Sequence, residues 1–278
     1  MAIEHRLITE NRLITDNRLL AALPPEEAEL VTPLLELVPL ERGRVIQDTE
    51  RPIEGIYFPV DGVISILSVM TDGTAVETAT IGKEGMAGMA VFHGVESTPE
   101  HYFVQVPGAA YRMGPKAFRE LLPRCPALVV RLHRYSVALF TLVAQASGCN
   151  RMHSMGQRCA RWILMVHDRV GRDEFELTQL VLSQMLGVRR ATVTEAALEL
   201  QRAGAIDYTR GRVTIVDRGT LERAACECYA VIRSTFDRLV GTDGEVTPSP
   251  LERVSVSAGG HSTAKGGAPD TGAALSSG

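Results

Sequence analysis

Residues 177–217 read LTQLVLSQMLGVRRATVTEAALELQRAGAIDYTRGRVTIVD, two helical segments and a β-hairpin in immediate succession. Thr178 stands at an N-cap position, Leu182 and Leu186 supply the apolar face of a short helix, and Gly187 offers the left-handed residue that ends it. A second helix is predicted from near Arg189 to Ala203, with Val193, Ala197 and Leu200 inward at helical spacing and Gly204 as its stop. Two β-runs follow, 205–208 and 212–216, joined by Thr209-Arg210-Gly211. Two short helices around a tight Gly turn make a helix-turn-helix, and the hairpin after it reads as a wing. The outward face of the second helix presents Arg189, Arg190, Thr192, Thr194 and Glu195 near its N-terminus, where a recognition helix meets base edges. Arginine can donate two hydrogen bonds to guanine, and glutamate can accept from cytosine. Thr178, Arg210 and Arg212 are the accompanying candidates for contact with the DNA backbone.

The charge distribution agrees. The net charge is −4, yet residues 1–150 carry 13 basic and 18 acidic side chains while residues 151–240 carry 14 and 11. All 14 of those basic residues are arginine, the side chain suited to bidentate phosphate and guanine contacts.

Upstream, after Pro126, a helix of roughly 25 residues is predicted, in which Leu128, Leu132, Tyr135, Leu139, Leu142 and Ala146 alternate spacings of four and three. This heptad pattern is expected to be the seam of a homodimer. Before it, short β-type runs (VPL, RVIQ, GIYFPV, VISILSV, AVETATI, YFVQV, AAYRM) are cut by turn signals at Asp61-Gly62, Asp72-Gly73 and Pro107-Gly108, which suggests a small barrel or jelly roll. The divisions expected are a helical lead over 1–20 containing the quasi-repeat RLITEN/RLITDN, a β-roll over 21–125, the dimer helix over 126–150, the winged helix-turn-helix over 151–240 and a disordered tail over 241–278. With 45% hydrophobic residues, the chain is long enough for two domains with their own cores. No uninterrupted apolar stretch of membrane-spanning length and no signal-peptide pattern are evident, so a cytoplasmic protein with no membrane partner is expected.

RCARWILMVHDRV, the helix-turn-helix and LERAACECY, together residues 158–228, resemble the C-terminal domain of the Crp/Fnr (catabolite activator / fumarate-nitrate regulator) superfamily. NRLLAALP at 17–24, the β-runs and the heptad helix follow in that family's order. The resemblance implies an α+β chain: a cyclic-nucleotide-binding-like β-roll, a long dimerisation helix and a winged helix-turn-helix. The function it implies is a homodimeric transcription regulator bound to double-stranded DNA and working with RNA polymerase. It also places the family's three base-reading positions on Arg190, Ala191 and Glu195. An Ala stands where glutamate is frequent and a Glu where arginine is frequent, so the operator is expected to differ from the family's best-known half-site. Glu195 either reads a base or orients Arg190 or Arg189.

By the same resemblance an effector pocket would involve Gly82, Lys83, Glu84, Glu100 and His101. Lys83 follows Gly82 where a ribose-binding glutamate is expected, with Glu84 one residue on, and Glu100 and His101 stand near the phosphate position with no arginine between Lys83 and Arg112. A carboxylate facing a cyclic phosphate repels it, which disfavours cyclic AMP. No cysteine precedes Cys125, which disfavours an iron–sulfur cluster of the oxygen-sensing kind. His93 and His101 read as surface residues, and haem is not expected.

The five cysteines, 125, 149, 159, 226 and 228, are odd in number and are expected to be reduced. Cys226-x-Cys228 is too tight, without a second pair, to read as a zinc knuckle. Cys149 and His153, four apart on one helix, either share a ligand or pack. No metal site is assigned. A Walker loop, GxSxG and HExxH are all missing, so an enzyme is not expected.

Overall fold

Asp72-Gly73 makes the hairpin its sequence promises: Thr74 N–H donates to Asp72 Oδ1 at 2.9 Å, Met70 N–H closes on Thr74 O at 2.7 Å, and Gly73 takes φ +81°. The computed structural model describes residues 16–241. The quasi-repeat up to residue 15 and the tail after 241 lie outside the described residues. The first half runs through α1 (Arg18–Ala21), α2 (Pro25–Val31), β1 (Glu36–Leu40), β2 (Val45–Gln47), β3 (Ile56–Val69), β4 (Ala75–Ile81), α3 (Met89–Phe92), β5 (His101–Met113) and α4 (Pro115–Leu121). The strands form one antiparallel sheet in the order β1-β5-β3-β4, with β2 also paired to β5.

Two turn signals fall inside strands. Asp61-Gly62 and Pro107-Gly108 are predicted to separate strands, yet GIYFPV joins VISILSV in β3 and YFVQV joins AAYRM in β5. The glycines face each other across the pair at register shifts between Pro59, Asp61 and Val63. Gly62 has φ +83°, and a Cβ on either glycine would run into the opposite backbone, that of Val106 or Asp61. They are β-bulge glycines that bend two long strands so that the sheet curls.

The sheet is tied to the helices by buried polar side chains. Asn17 caps α1, accepting from Leu19 N–H at 3.1 Å, while its amide donates to the carbonyls of Pro59 and Gly85, each at 2.9 Å. Glu27 of α2 accepts from the backbone N–H groups of Ala127 and Leu128 at 2.7 and 2.9 Å. It thereby caps α5 (Pro126–Met152), whose first turn carries Pro126 and has no cap of its own.

α5 spans 27 residues, about 40 Å. Its heptad stripe is buried, though not against a second chain. Leu128, Leu132, Tyr135, Leu142 and Ala146 are covered within the protomer by β4, by α1 and by the last helix, α10, described below, and Leu139 packs partly buried against the same core. Tyr135 lies edge-on to Phe236, centroids 6.3 Å apart, and its hydroxyl donates to Met86 O at 3.3 Å. The assignment of these six residues to a dimer seam is therefore corrected. Heptad spacing shows that a face is covered and not what covers it. The opposite face, with Val130, Val137, Phe140 and Val143, is exposed, Phe140 to 73%. Over 18 residues α5 reaches a mean hydropathy of 1.4, enough by length and composition to cross a membrane. Arg131, His133 and Arg134 interrupt the stretch, so it is not an unbroken apolar run in the sequence.

Beyond α5 come α6 (Met155–Val170), β6 (Glu174–Glu176), α7 (Gln179–Leu186), α8 (Arg190–Arg202), β7 (Ile206–Thr209), β8 (Arg212–Ile215), α9 (Arg218–Ala224) and α10 (Glu227–Val240). Ser154 starts α6 with a reciprocal capping box to Gln157. The wing is a three-stranded sheet, β6-β8-β7, one strand more than predicted. EFE at 174–176 is too short to carry a visible alternation. α10 turns back and packs along α5. The main core is one continuous cluster running from Leu19 to Val240, where two separate domain cores were expected.

Candidate nucleic-acid interface

α7, Gly187 and α8 form the helix-turn-helix. Thr178 Oγ1 accepts from Val181 N–H at 3.2 Å and caps α7. Gly187 takes φ +64°, and Val188 N–H closes back on Ser183 O at 3.0 Å, a left-handed helix ending. Val193, Ala196, Ala197 and Leu200 bury the inner face of α8. On the outer face Arg189, Arg190, Ala191 and Glu195 are exposed, and Thr192 and Thr194 are half-buried. Thr194 Oγ1 lies 3.0 Å from both Gln179 Oε1 and Arg190 O, so its hydroxyl holds α8 to α7. No side chain caps α8; Thr192 N–H turns back to Arg189 O at 3.0 Å, and the positive end of the helix dipole is open to an anion.

Glu195 makes no hydrogen bond or ion pair to Arg189 or Arg190 among the described residues, so neither arginine is held by it. The wing turn is tight: Thr209 pairs with Arg212 across Arg210 and Gly211, at φ +52° and +78°. Such a two-residue turn with both φ positive matches the hairpin's twist, and it places Arg210 at the tip, exposed. Leu177 N–H donates to Gly211 O at 2.8 Å, which fixes the tip beside the start of α7. Arg212 is paired with Glu174 of β6 at 2.6 Å and is the least available of the candidate cations.

The residues proposed for an effector pocket do not converge. Ile81 at the end of β4 stands opposite Ile64, and His101 at the start of β5 stands opposite Leu67, so the two segments are separated by β3 and offset along it. Lys83 and Glu84 line a cavity of about 170 Å³ with Arg18, Asp168, Arg169 and Tyr229. His101 instead lines a groove of about 930 Å³ between the β3–β4 hairpin and the helix-turn-helix. Glu84 is already engaged, its Oε1 2.9 Å from Arg169 Nε in a buried ion pair, and Gly82 N–H donates to it at 3.2 Å. His101 faces Asp48 at 3.2 Å.

Polar side chains far apart in sequence join α6 to the β-roll. Trp162 Nε1 donates to Glu77 Oε1 of β4 at 2.6 Å, and Ser65 Oγ donates to the other oxygen at 2.7 Å. Burial pushes the Glu77 carboxyl up to about 7, against the pull of these two donors and of Arg161 and Arg169. Arg169 NH2 also donates to Thr80 O at 3.3 Å. The β-roll thus grips the helix that leads into the DNA-binding region. Heptad and strand periodicities carry no information about polar pairs so far apart in sequence.

A second cluster was missed. Cys149 and His153 at the end of α5 meet Cys226 and Cys228 at the start of α10, their ligand atoms all within 4.8 Å of one another. Cys149 Sγ lies 3.5 Å from Cys226 Sγ, and Cys228 Sγ lies 3.5 Å from His153 Nδ1. The hydrogen bond from Cys226 holds the Cys149 thiol down to about 5 and raises Cys226 in turn. The only sequence signal was the four-residue spacing of Cys149 and His153, whose missing partners lie at the far end of the DNA-binding region.

Residues 157–224 match the Crp-like helix-turn-helix domain. No curated protein sequence matches the chain. Among solved structures, FixK2 from Bradyrhizobium japonicum is similar at TM-score 0.60 and 13% identity, covering 69% of this chain and 98% of that one. The c-di-GMP responsive global regulator CLP from Xanthomonas campestris is similar at TM-score 0.57 and 11% identity, covering 69% and 98%. A CRP-family transcriptional regulator from Thermus thermophilus is similar at TM-score 0.54 and 18% identity, covering 68% and 96%. At these identities the structural likeness establishes the fold, and the matched domain establishes the DNA-binding module. Residues 157–224 thus form a Crp-like helix-turn-helix domain, within a chain whose fold is similar to that of these solved regulators.

Proposed function

We propose that the chain is a cytoplasmic homodimer that reads an inverted-repeat operator with two copies of α8 and answers to a signal received by the β-roll. The observation that carries this reading is the first turn of α8, where Arg189 and Arg190 are exposed beside the uncapped helix end. That arrangement suits a helix whose N-terminal residues enter the major groove. RNA polymerase is the further partner that the family resemblance suggests.

The surface proposed for the dimer is the outer face of α5. Val130, His133, Val137, Phe140, Ala144, Ser147 and Arg151 recur at alternating steps of three and four, and all are exposed. A second copy of α5 is the occupant whose stripe has the same length and spacing, and a two-fold axis along it would present two α8 helices to one duplex. The signal would pass from β4 to α6 through Glu77 and Trp162 and through Glu84 and Arg169. Cyclic AMP is not the ligand on this reading, because Glu84 is consumed by Arg169 and the stretch between Lys83 and Arg112, which carries Glu100, holds no arginine. Calorimetric titration would show no micromolar binding of it.

Titration of a labelled duplex by fluorescence anisotropy at several salt concentrations tests the DNA-binding step. The expected result is tight binding at low salt that falls steeply as salt rises, because displaced counterions drive association. Arg210→Ala should weaken binding to all sequences alike and lower the salt slope by about one phosphate. Binding insensitive to salt, or none at low salt, would contradict the reading.

A further inference from the structure

We infer that Cys149, His153, Cys226 and Cys228 form a single-ion site for zinc, built between the C-terminal end of α5 and the start of α10. Zinc prefers four tetrahedral ligands from thiolates and imidazole, and three cysteines with one histidine is among its structural donor sets. The dimensions fit. Zinc–sulfur bonds of about 2.3 Å and zinc–nitrogen bonds of about 2.0 Å imply tetrahedral edges of roughly 3.8 Å between sulfurs and 3.5 Å from sulfur to nitrogen. The Cys149–Cys226 and Cys228–His153 separations are both 3.5 Å, and all four donors lie within 4.8 Å of one another. A span that small holds one ion and leaves no room for an iron–sulfur cage.

The surroundings are those of a metal site. His153 turns Nδ1 to the cluster and Nε2 to Glu227 Oε1 at 3.1 Å. A carboxylate on the far nitrogen fixes the tautomer and raises the basicity of a ligating imidazole. Gln145 Nε2 donates to Cys228 Sγ at 3.2 Å, as an outer donor does to a bound thiolate. The three cysteines are buried and form a small cluster of their own apart from the main core, which contributes little as apolar packing. Zinc held by three thiolates and a neutral imidazole leaves a net charge of −1, the protons still on the thiols going to solvent. Arg161, buried and with its Nε unbonded among the described residues, lies close enough to act on Cys149 and offsets that charge.

The ion ties the end of α5 and the joint before α6 to the start of α10. The sites for DNA and for zinc share no residue, so the two readings stand or fall separately.

The test is cobalt(II) titration of the full chain after dialysis against a chelator under reducing conditions. Expected are the intense visible bands of tetrahedral cobalt and a sulfur-to-cobalt charge-transfer band, saturating at one ion per chain and bleached by zinc. Cys228→Ser and His153→Ala should each weaken zinc binding at least tenfold. Glu227→Gln should weaken it about tenfold or more through the lost outer contact, while Cys125→Ser and Cys159→Ser leave it unchanged. The thermal midpoint of the wild-type chain should rise with added zinc. A pale octahedral cobalt spectrum with no zinc-dependent rise in midpoint would overturn the inference. So would equal binding by the Cys228→Ser and Cys125→Ser chains, or a Cys149–Cys226 disulfide in protein purified without added oxidant.

Discussion

Trp162 is the single tryptophan of the chain and donates to the carboxyl with the most telling environment, Glu77. That carboxyl is raised from 4.5 to about 7 in the fold. Between those values the folded chain holds a proton that the unfolded chain has released. The stabilisation is fully present below about 4.5 and is lost as pH rises through about 7. At 1.36 kcal/mol per unit the swing is about 3 kcal/mol as an upper bound. Tryptophan fluorescence of the native protein should therefore titrate near neutral pH, and the thermal midpoint should fall between pH 5 and 8. Glu77→Gln, which keeps an acceptor for Trp162 and cannot ionise, should flatten both profiles. If the two proteins give the same profiles, Glu77 is not the titrating group.

At the scale of elements, α5 carries two heptad stripes one helix face apart, and they separate two effects that sequence merges. Leu139 is packed against the protomer's own core. Leu139→Asp should cost several kcal/mol of folding stability by burying an unpaired charge. Phe140, the adjacent residue, is 73% exposed. Phe140→Asp should leave the folding transition of the protomer within about 0.5 kcal/mol, as exposed substitutions do, and should break the dimer. Analytical ultracentrifugation at micromolar concentration distinguishes them. A Phe140→Asp chain that remains as dimeric as wild type would remove α5 from the interface. The helix-turn-helix was legible almost to the residue because caps, glycines and periodicity are local. The wing turn was legible for the same reason. The covering of α5 by α10 was not, because nothing in an amphipathic pattern names its partner across 80 residues. The bulge glycines were read as turns because left-handed φ serves both purposes equally.

Taken whole, the described residues share one main core in which a curled sheet holds α6, and α6 leads into the helix-turn-helix. The order of β-roll, long helix and winged helix followed from sequence by patterning and resemblance. The polar couplings between the halves, Glu77 with Trp162 and Glu84 with Arg169, needed coordinates, as did the meeting of Cys149 and His153 with Cys226 and Cys228. The account's central claim is that α8 reads the operator, and selection of binding sites from a random duplex pool tests it most directly. Wild type should yield an inverted repeat with half-site centres about one DNA turn, roughly 34 Å, apart. Arg190→Ala should relax one symmetric base position at a cost of about 1–3 kcal/mol per half-site. Glu195→Arg should shift the preferred half-site, since Glu195 is exposed and not paired to either neighbouring arginine. A motif identical for wild type, Arg190→Ala and Glu195→Arg would contradict the claim.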